Sequence, residues 1–375
     1  GFKVNSGEYK LMGLAPYGKN NSKLEKKINK VIRINNLSKE YSLNPKYIHY
    51  GVHSFSGRFT DNLVKLFGKK PRKENEKITD WHKDLAFEVQ KKLEDSVFNL
   101  FQKYSTITGI KNFTMGGGVG LNVKMNSKIF ESSFCDKIFP NPLCADNGAA
   151  VGSALIADYI LHKKRPKELK SLALGPDYSD KEIVKILKLN KIKFYKINNI
   201  EKYVAKELAK GKVIGWFQGK MEAGARALGQ RSILGDPRNK KMTKKINLII
   251  KYREVWRPFC PSILEEYVEK YFIKSYRSNF MTISFEAKKE LKNIAPAIVH
   301  VDNTSRVQSV SKRYNLKFYK LINEFFKITK VPILLNTSFN VKGEPIVCSP
   351  NDAIRTFYST GLDQLVLNNF LIKKK

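Results

Sequence analysis

Through the second half of the chain, short β-forming runs alternate with helix-patterned segments, and that alternation restricts this half to an α/β fold. A helix expected around 180–190 precedes "IKFYKI", and one near 200–210 precedes the buried-looking strand "KVIGWFQGK" (212–220), which ends at Gly219. Another helix is expected over about 239–251, and the strand "VPILL" runs into the polar stretch "NTSFN" (336–340). "SPNDAIRTFYSTG" carries helix punctuation at both ends: Ser349 as cap, Pro350 in the first turn, Asp352 at the third position and Gly361 as terminator. "LDQLVLNNFLI" reads as a final strand. In the first half, Leu85, Val89, Leu93, Val97 and Phe101 recur every four residues and predict a helix from Thr79 to about Tyr104. Thr79 can cap it, and Asp80 and Asp84 suit its positive end. A strand at 110–115 then leads into "GGGVGLN" (116–122).

A chain of 375 residues is long for one core and suggests two domains of roughly 150–200 residues. Charge, Pro and Gly-Pro cluster in "HKKRPKELKSLALGPDYSD" (162–180), which places the boundary there, between domains at 1–165 and 175–375. Cys135, Cys144, Cys260 and Cys348 form no CxxC pair and read as free thiols of a reducing compartment. With no signal peptide and no apolar run of membrane-spanning length, the expected location is cytoplasmic. The opening "GFKVNSGEYK", without Met, reads as the start of a fragment.

The formal charge of +35 admits a polyanion partner, nucleic acid included, or a surface decorated with lysine. Lys dominates Arg, and "KLEKKINK" and "NKKMTKKIN" look like solvated helix faces. Phosphate forks favour Arg, so the few arginines are the informative cations.

The densest constellation is "QGKMEAGARALGQRSILGDPRN" (218–239), with Glu222, Arg226 and Arg231 among small residues directly after a strand. Small residues expose backbone N–H groups and let an anion approach, while Arg offers a planar fork to its oxygens. In "KYREVWRPFCP" (251–261), Lys251, Arg253 and Arg257 alternate with Tyr252 and Trp256. "HVDNTSRVQ" adds Arg306, and "NTSFN" offers Asn336 and Ser338 at a strand end. Arg226, Lys251, Arg257, Arg306, Asn336 and Ser338 together would neutralise a small, multiply charged substrate, each charge-assisted bond contributing roughly 1.5–3 kcal/mol. In the first half, "MGGGVGLN" matches neither the Walker pattern nor the dinucleotide fingerprint. Asp146 stands where a strand hands over to a small-residue helix and either caps that helix or binds a metal. His49, His53 and His82 are not at ligand spacing.

Taken in order, "GEYKLMGLAPYGK", "GGGVGLNVKMN", "FPNPLCADNGAAVGSAL", "GWFQGKMEAGARALGQRSILGDPR", "NLIIKYREVWRPFCPSI", "HVDNTSRVQ" and "NTSFNVKGEPIVCSPNDAI" resemble the O-carbamoyltransferases of nodulation-factor and antibiotic biosynthesis over almost the whole chain. The resemblance implies a partial actin-like (ribonuclease H-like, Kae1-like) ATPase domain at 1–165, followed by a YrdC-like α/β domain at 175–375. It implies that the second domain combines carbamoyl phosphate with ATP into carbamoyl-adenylate. The first would then pass the carbamoyl group to a hydroxyl of a sugar or natural product, near iron or a similar divalent ion, with magnesium accompanying ATP. The family's carbamoyl-phosphate and adenylate pocket falls on Arg226, Lys251, Arg257, Arg306, Asn336 and Ser338. Its nucleotide loop falls on Gly116, Gly117, Gly118 and Asn122, and its metal-binding Asp on Asp146.

Two departures are local: Ala225 stands where the family has Pro, and Asn303 where Gly is usual, a position asparagine tolerates. The family's histidine ligand pair would precede Phe2, so the resemblance implies a chain lacking the N-terminal part. A homodimer fits this picture; a membrane partner and nucleic acid do not. The competing reading is an RNA-binding or tRNA-modification-related protein built on the same folds.

Overall fold

The computed structural model describes residues 1–2, 7–49, 59–166 and 168–374. Two compact units are formed, one by Gly1–Thr114 with Lys124–Phe139 and the other by Met115–Val123 with Pro140–Lys375. In chain order the first half carries α1 (Glu8–Leu14), α2 (Ser22–Val31), β1 (Ile32–Ile34), β2 (Tyr41–Leu43), α3 (Asp61–Phe67), α4 (Asp80–Thr108), β3 (Asn112–Met115), α5 (Val123–Phe130) and β4 (Lys137–Pro140).

Helix α4 organises the first unit. Thr79 caps it in a reciprocal box with His82, and Gly109, at φ 70°, ends it in the left-handed region, so it outruns the expected end at Tyr104. Its apolar stripe is only half-buried, and its buried positions include two carboxylates. Asp84 accepts from the Lys19 backbone N–H at 3.0 Å and Glu88 from that of Asn21 at 2.6 Å. Asp84 thus anchors the segment after "GLAPYGK" rather than serving the helix dipole. Phe98, Phe101, Phe113 and Phe134 meet edge to face, with Phe98–Phe134 centroids 4.9 Å apart.

The second half carries α6 (Asp146–His162), α7 (Asp180–Leu189), β5 (Tyr195–Lys196), α8 (Ile200–Ala209), β6 (Ile214–Phe217), β7 (Arg231–Gly235), α9 (Lys241–Ile249) and β8 (Cys260–Leu264). It continues with α10 (Val268–Tyr271), β9 (Phe272–Ile273), β10 (Ser284–Ala287), α11 (Lys289–Ile294), β11 (Thr304–Arg306), β12 (Gln308–Val310) and α12 (Leu316–Thr329). It closes with β13 (Ile333–Ser338), α13 (Pro350–Tyr358), β14 (Gln364–Leu367) and β15 (Phe370–Lys373). Eight strands form one mixed sheet in the order β12-β8-β13-β7-β6-β14-β15-β5. Every residue of β6, β7, β8, β12 and β14 is buried, including the polar Arg231, Ser232, Ser262, Gln308, Ser309 and Gln364, so the sheet is covered on both faces. β13 lies antiparallel between β7 and β8, and this register sets Asn336 opposite both Leu234 and Cys260. Helix α12 packs on β8, β13 and α8, while α13 packs on β6 and β14.

Two sequence expectations change. The expected final strand is a hairpin, because Asn368 turns the chain at φ 50° and its amide donates to Tyr178 O and Asp180 Oδ1, both at 3.0 Å. Ser349 and Asp352 do form a capping box on α13, yet Gly361 is not its left-handed stop. Its N–H donates to Ile249 O at 2.8 Å, and a Cβ there would sit 3.0 Å from that oxygen, so close backbone approach explains the glycine. Helix α6 buries none of its residues and exposes Ile156, Ile160 and Leu161. No helix among the described residues is long and apolar enough to cross a membrane.

Gly229 sits at φ 102°, its carbonyl accepts from Trp216 Nε1 at 3.0 Å, and a Cβ would collide with the Phe318 ring. Gly229→Ala is expected to cost about 1–3 kcal/mol, read as a lower denaturant midpoint at unchanged m-value.

Candidate anion site

The end of β13 forms a collar around one ammonium group. Lys251, two residues beyond α9 and 3% exposed, donates to Ser338 O at 2.9 Å, Asn340 O at 2.8 Å and Ser338 Oγ at 3.2 Å, and also contacts Asn340 Oδ1. Ser338 Oγ in turn donates to Asn340 Oδ1 at 2.7 Å. Ser338 and Asn340 of "NTSFN" therefore satisfy a buried cation. Burial, and then Arg253 and Arg257, hold the Lys251 ammonium well below its ordinary pKa.

Two guanidinium groups, Arg253 and Arg257, share its surroundings, and Arg306 acts on both of them. Burial and Arg257 push Arg253 down to about 9; its Nε donates to Asn247 Oδ1 at 2.6 Å and its plane lies 4.9 Å from the Phe259 ring centroid. Arg257 is also lowered, mainly by burial, with Arg306 adding repulsion and Glu254, 3.9 Å away, opposing it. Arg306 is held by the thiol of Cys260, to which Nε and Nη2 donate at 3.1 and 2.9 Å. Arg253 and Arg257 repel Lys251, Arg257 and Arg306 repel Arg253, and Arg306 repels Arg257; an anion bound among them would relieve that repulsion.

The loop carrying Arg226 is built around the buried Glu222 carboxylate. Its Oε1 accepts from the backbone N–H groups of Leu228 (2.6 Å), Arg231 (3.3 Å) and Gln230 (3.4 Å), and burial raises its pKa. Arg231 is a structural cation: fully buried, it donates to Gln218 O (3.0 Å), Gly219 O (2.9 Å) and Pro176 O (3.2 Å) and stacks 3.5 Å over Phe217.

Of the expected site residues, Lys251, Arg257, Arg306 and Ser338 come together. Asn336 is 1% exposed and donates to Ala227 O at 3.1 Å and Ser262 Oγ at 2.9 Å, so it fastens the Arg226 loop to the sheet from behind. Arg226 itself is partly buried beside that anchor. Arg253 and Asn340 escaped the sequence reading as site residues. Their signal was spacing: each lies two residues from a chosen residue, Lys251 and Ser338 respectively.

Gly116, Gly117 and Gly118 form an exposed loop after β3, where an added Cβ would meet nothing within 4 Å, and Asn122 follows it directly before α5. Asp146 is the exposed first residue of α6. Among the described residues no group of three His, Cys, Asp or Glu side chains could hold a metal ion. His82 is engaged in the α4 cap, and His53 lies outside the described residues. The described residues at Asp146 therefore do not fit an iron site.

A sequence-family model for the carbamoyltransferase N-terminus matches residues 1–155, and one for the carbamoyltransferase C-terminus matches 205–374. The chain belongs to the carbamoyltransferase family. The first match corrects the expectation that the family's N-terminal part is lacking. That expectation rested on two histidines, whereas the match rests on a pattern spread over the first 155 residues.

An uncharacterized protein of Synechocystis is 39% identical over 100% of this chain and 65% of its own length. Nodulation protein NolNO of Sinorhizobium fredii is 38% identical over 98% of this chain and 53% of its own length, and nodulation protein NolO of Bradyrhizobium diazoefficiens 37% over 98% and 66%. The chain thus spans about half to two thirds of the length of these relatives. A crystal structure of full-length HypF in a phosphate- and nucleotide-bound form aligns at 19% identity with a TM-score of 0.33, covering 49% of this chain and 23% of that one.

Sulfate, whose charge does not change once its second proton is lost, probes the cations directly. Lys251 is charged only below its depressed pKa, so sulfate affinity should fall as pH rises through that value. Lys251→Met, which removes a nearby charge whose N–H groups the collar already takes, should weaken binding by about 1–4 kcal/mol and abolish that step in calorimetric titrations.

Proposed function

We propose that the protein is an ATP-dependent O-carbamoyltransferase. The observation that carries this reading is the clustering of half-buried Arg253 and Arg257 around Lys251, which the Ser338–Asn340 collar holds, with Arg306 acting on both arginines. The cations suit a compact substrate bearing several phosphate charges. Carbamoyl phosphate and ATP together supply such charges, and the family supplies the carbamoyl chemistry.

In this reading, residues 175–375 are the YrdC-like half, where water cleaves carbamoyl phosphate to carbamate and phosphate and a carbamate oxygen attacks the α-phosphorus of ATP, giving carbamoyl-adenylate as pyrophosphate departs. The cations stabilise negative charge on those leaving groups, an effect worth about 2.7–4 kcal/mol per essential donor. Residues 1–165 are the actin-like half in which a hydroxyl of a sugar or natural product attacks the carbamoyl carbonyl and releases AMP. The exposed Gly116–Gly118 loop and Asn122 suit close approach of a nucleotide to backbone N–H groups. No step is assigned to a metal. The partner class is a small molecule rather than nucleic acid, because the cations gather half-buried around the buried Lys251 instead of lining an open track. Free thiols at all four cysteines suit a reducing, cytoplasmic setting.

Exchange of labelled pyrophosphate into ATP should require carbamoyl phosphate. Lys251→Ala and Arg226→Ala should each lower its rate by about 10²–10³. Absent exchange, or exchange indifferent to both substitutions, would overturn the reading.

A further inference from the structure

Asn247 is fully buried in α9 and meets the cationic segment with every polar atom of its side chain. Its Oδ1 accepts from Arg253 Nε at 2.6 Å, and its Nδ2 donates to the carbonyls of Arg257 at 3.0 Å and Val255 at 3.3 Å. Its own carbonyl accepts the Arg253 backbone N–H at 3.0 Å. The amide orientation is fixed by this network, since a flip would set donor against donor and carbonyl against carbonyl. One side chain therefore fastens the turn at both of its arginines.

The choice of amide is informative. A carboxylate would hold Arg253 more strongly, but its second oxygen would face two carbonyls, and its charge would cancel one of the cations. A leucine would leave a buried guanidinium N–H and two carbonyls without these partners. Glu254, the carboxylate that does face these arginines, lies at 3.9 Å from Arg257, beyond hydrogen-bond distance.

We propose that Asn247 is a positioning residue of the anion site, setting the spacing of Arg253 and Arg257 without reducing the positive charge that binds phosphate groups. This rests on the phosphate-binding reading above and deepens it: substrate affinity depends on a residue that itself touches no substrate.

The test uses calorimetric titration of the whole chain with pyrophosphate, with thermal melts in parallel. Wild type should bind, and Lys251→Ala should lose at least tenfold in affinity. Asn247→Leu should also lose about tenfold, and Asn247→Asp several-fold more than Leu, because only Asp adds negative charge. In the exchange assay, the half-saturating carbamoyl phosphate concentration should rise about tenfold in Asn247→Asp, with the maximal rate reduced less than threefold. A purely structural role predicts lower melting temperatures in both variants without that separation. Affinity within twofold of wild type in both variants, or equal losses in Leu and Asp, overturns the proposal while the site reading stands through Lys251→Ala. If Asn247→Leu does not fold, the near-isosteric Asn247→Asp decides by its own affinity and KM. Wild type that binds no pyrophosphate, or binding unaffected by Lys251→Ala, overturns the site reading and the proposal together.

Discussion

Burying an ammonium group is the constraint around which the second unit is arranged. An uncompensated charge taken into the interior costs several kcal/mol, so Lys251 is viable only because the end of β13 turns two carbonyls, a hydroxyl and an amide toward it. Those acceptors must come from one rigid place. β13 supplies it by lying inside the sheet, hydrogen-bonded on both edges to β7 and β8. The strand's continuous apolar residues fix its position, and its last residues spend their polarity on the lysine.

The loop between β6 and β7 follows the same logic with both signs. Glu222, 2% exposed, is surrounded by backbone N–H groups, whereas Arg231, 0% exposed, is surrounded by backbone carbonyls. Each charge satisfies main-chain groups that a loop of glycines and alanines would otherwise leave unpaired. The loop is thereby held without an apolar core of its own, and Asn336 ties it to the sheet through Ala227. Cations that serve the fold and cations that gather around Lys251 thus occur within a few residues of one another, and their partners distinguish them. Arg231 is surrounded by carbonyls, while Arg257 and Arg306 repel Arg253, and Arg306 repels Arg257.

Much of this was legible in the chain itself. The α/β alternation, the Ser349–Asp352 box and the cation-bearing motifs are local patterns, and local patterns survive into structure when propensity and packing agree. The hairpin of β14 and β15 was hidden because Asn368 and Asn369 sit inside an otherwise unbroken apolar run. Asp84 was misassigned because its real partners, Lys19 and Asn21, lie more than 60 residues away. Asn247 offered no signal at all: a single asparagine on a helix declares nothing until the turn it fastens folds back onto it. Arg253 could have been found from its spacing, yet sequence alone does not say which of two neighbouring arginines faces inward.

The overall charge of +35 is the most visible electrostatic feature and explains the least about the site. Two unit charges 4 Å apart interact by about 1 kcal/mol in water and about 4 kcal/mol at an effective dielectric of 20. Exposed lysines act in the first regime, where salt screens them within about 8 Å. Lys251, Arg253 and Arg257 act in the second, where burial lowers the pKa of each. A lysine-rich surface can raise the local concentration of any anion, but discrimination among anions requires fixed geometry and excluded water. Fixed geometry is supplied where "NTSFN" meets "KYREVWRPF", through the hydrogen bonds of Lys251 to Ser338 and Asn340, and by no exposed lysine run.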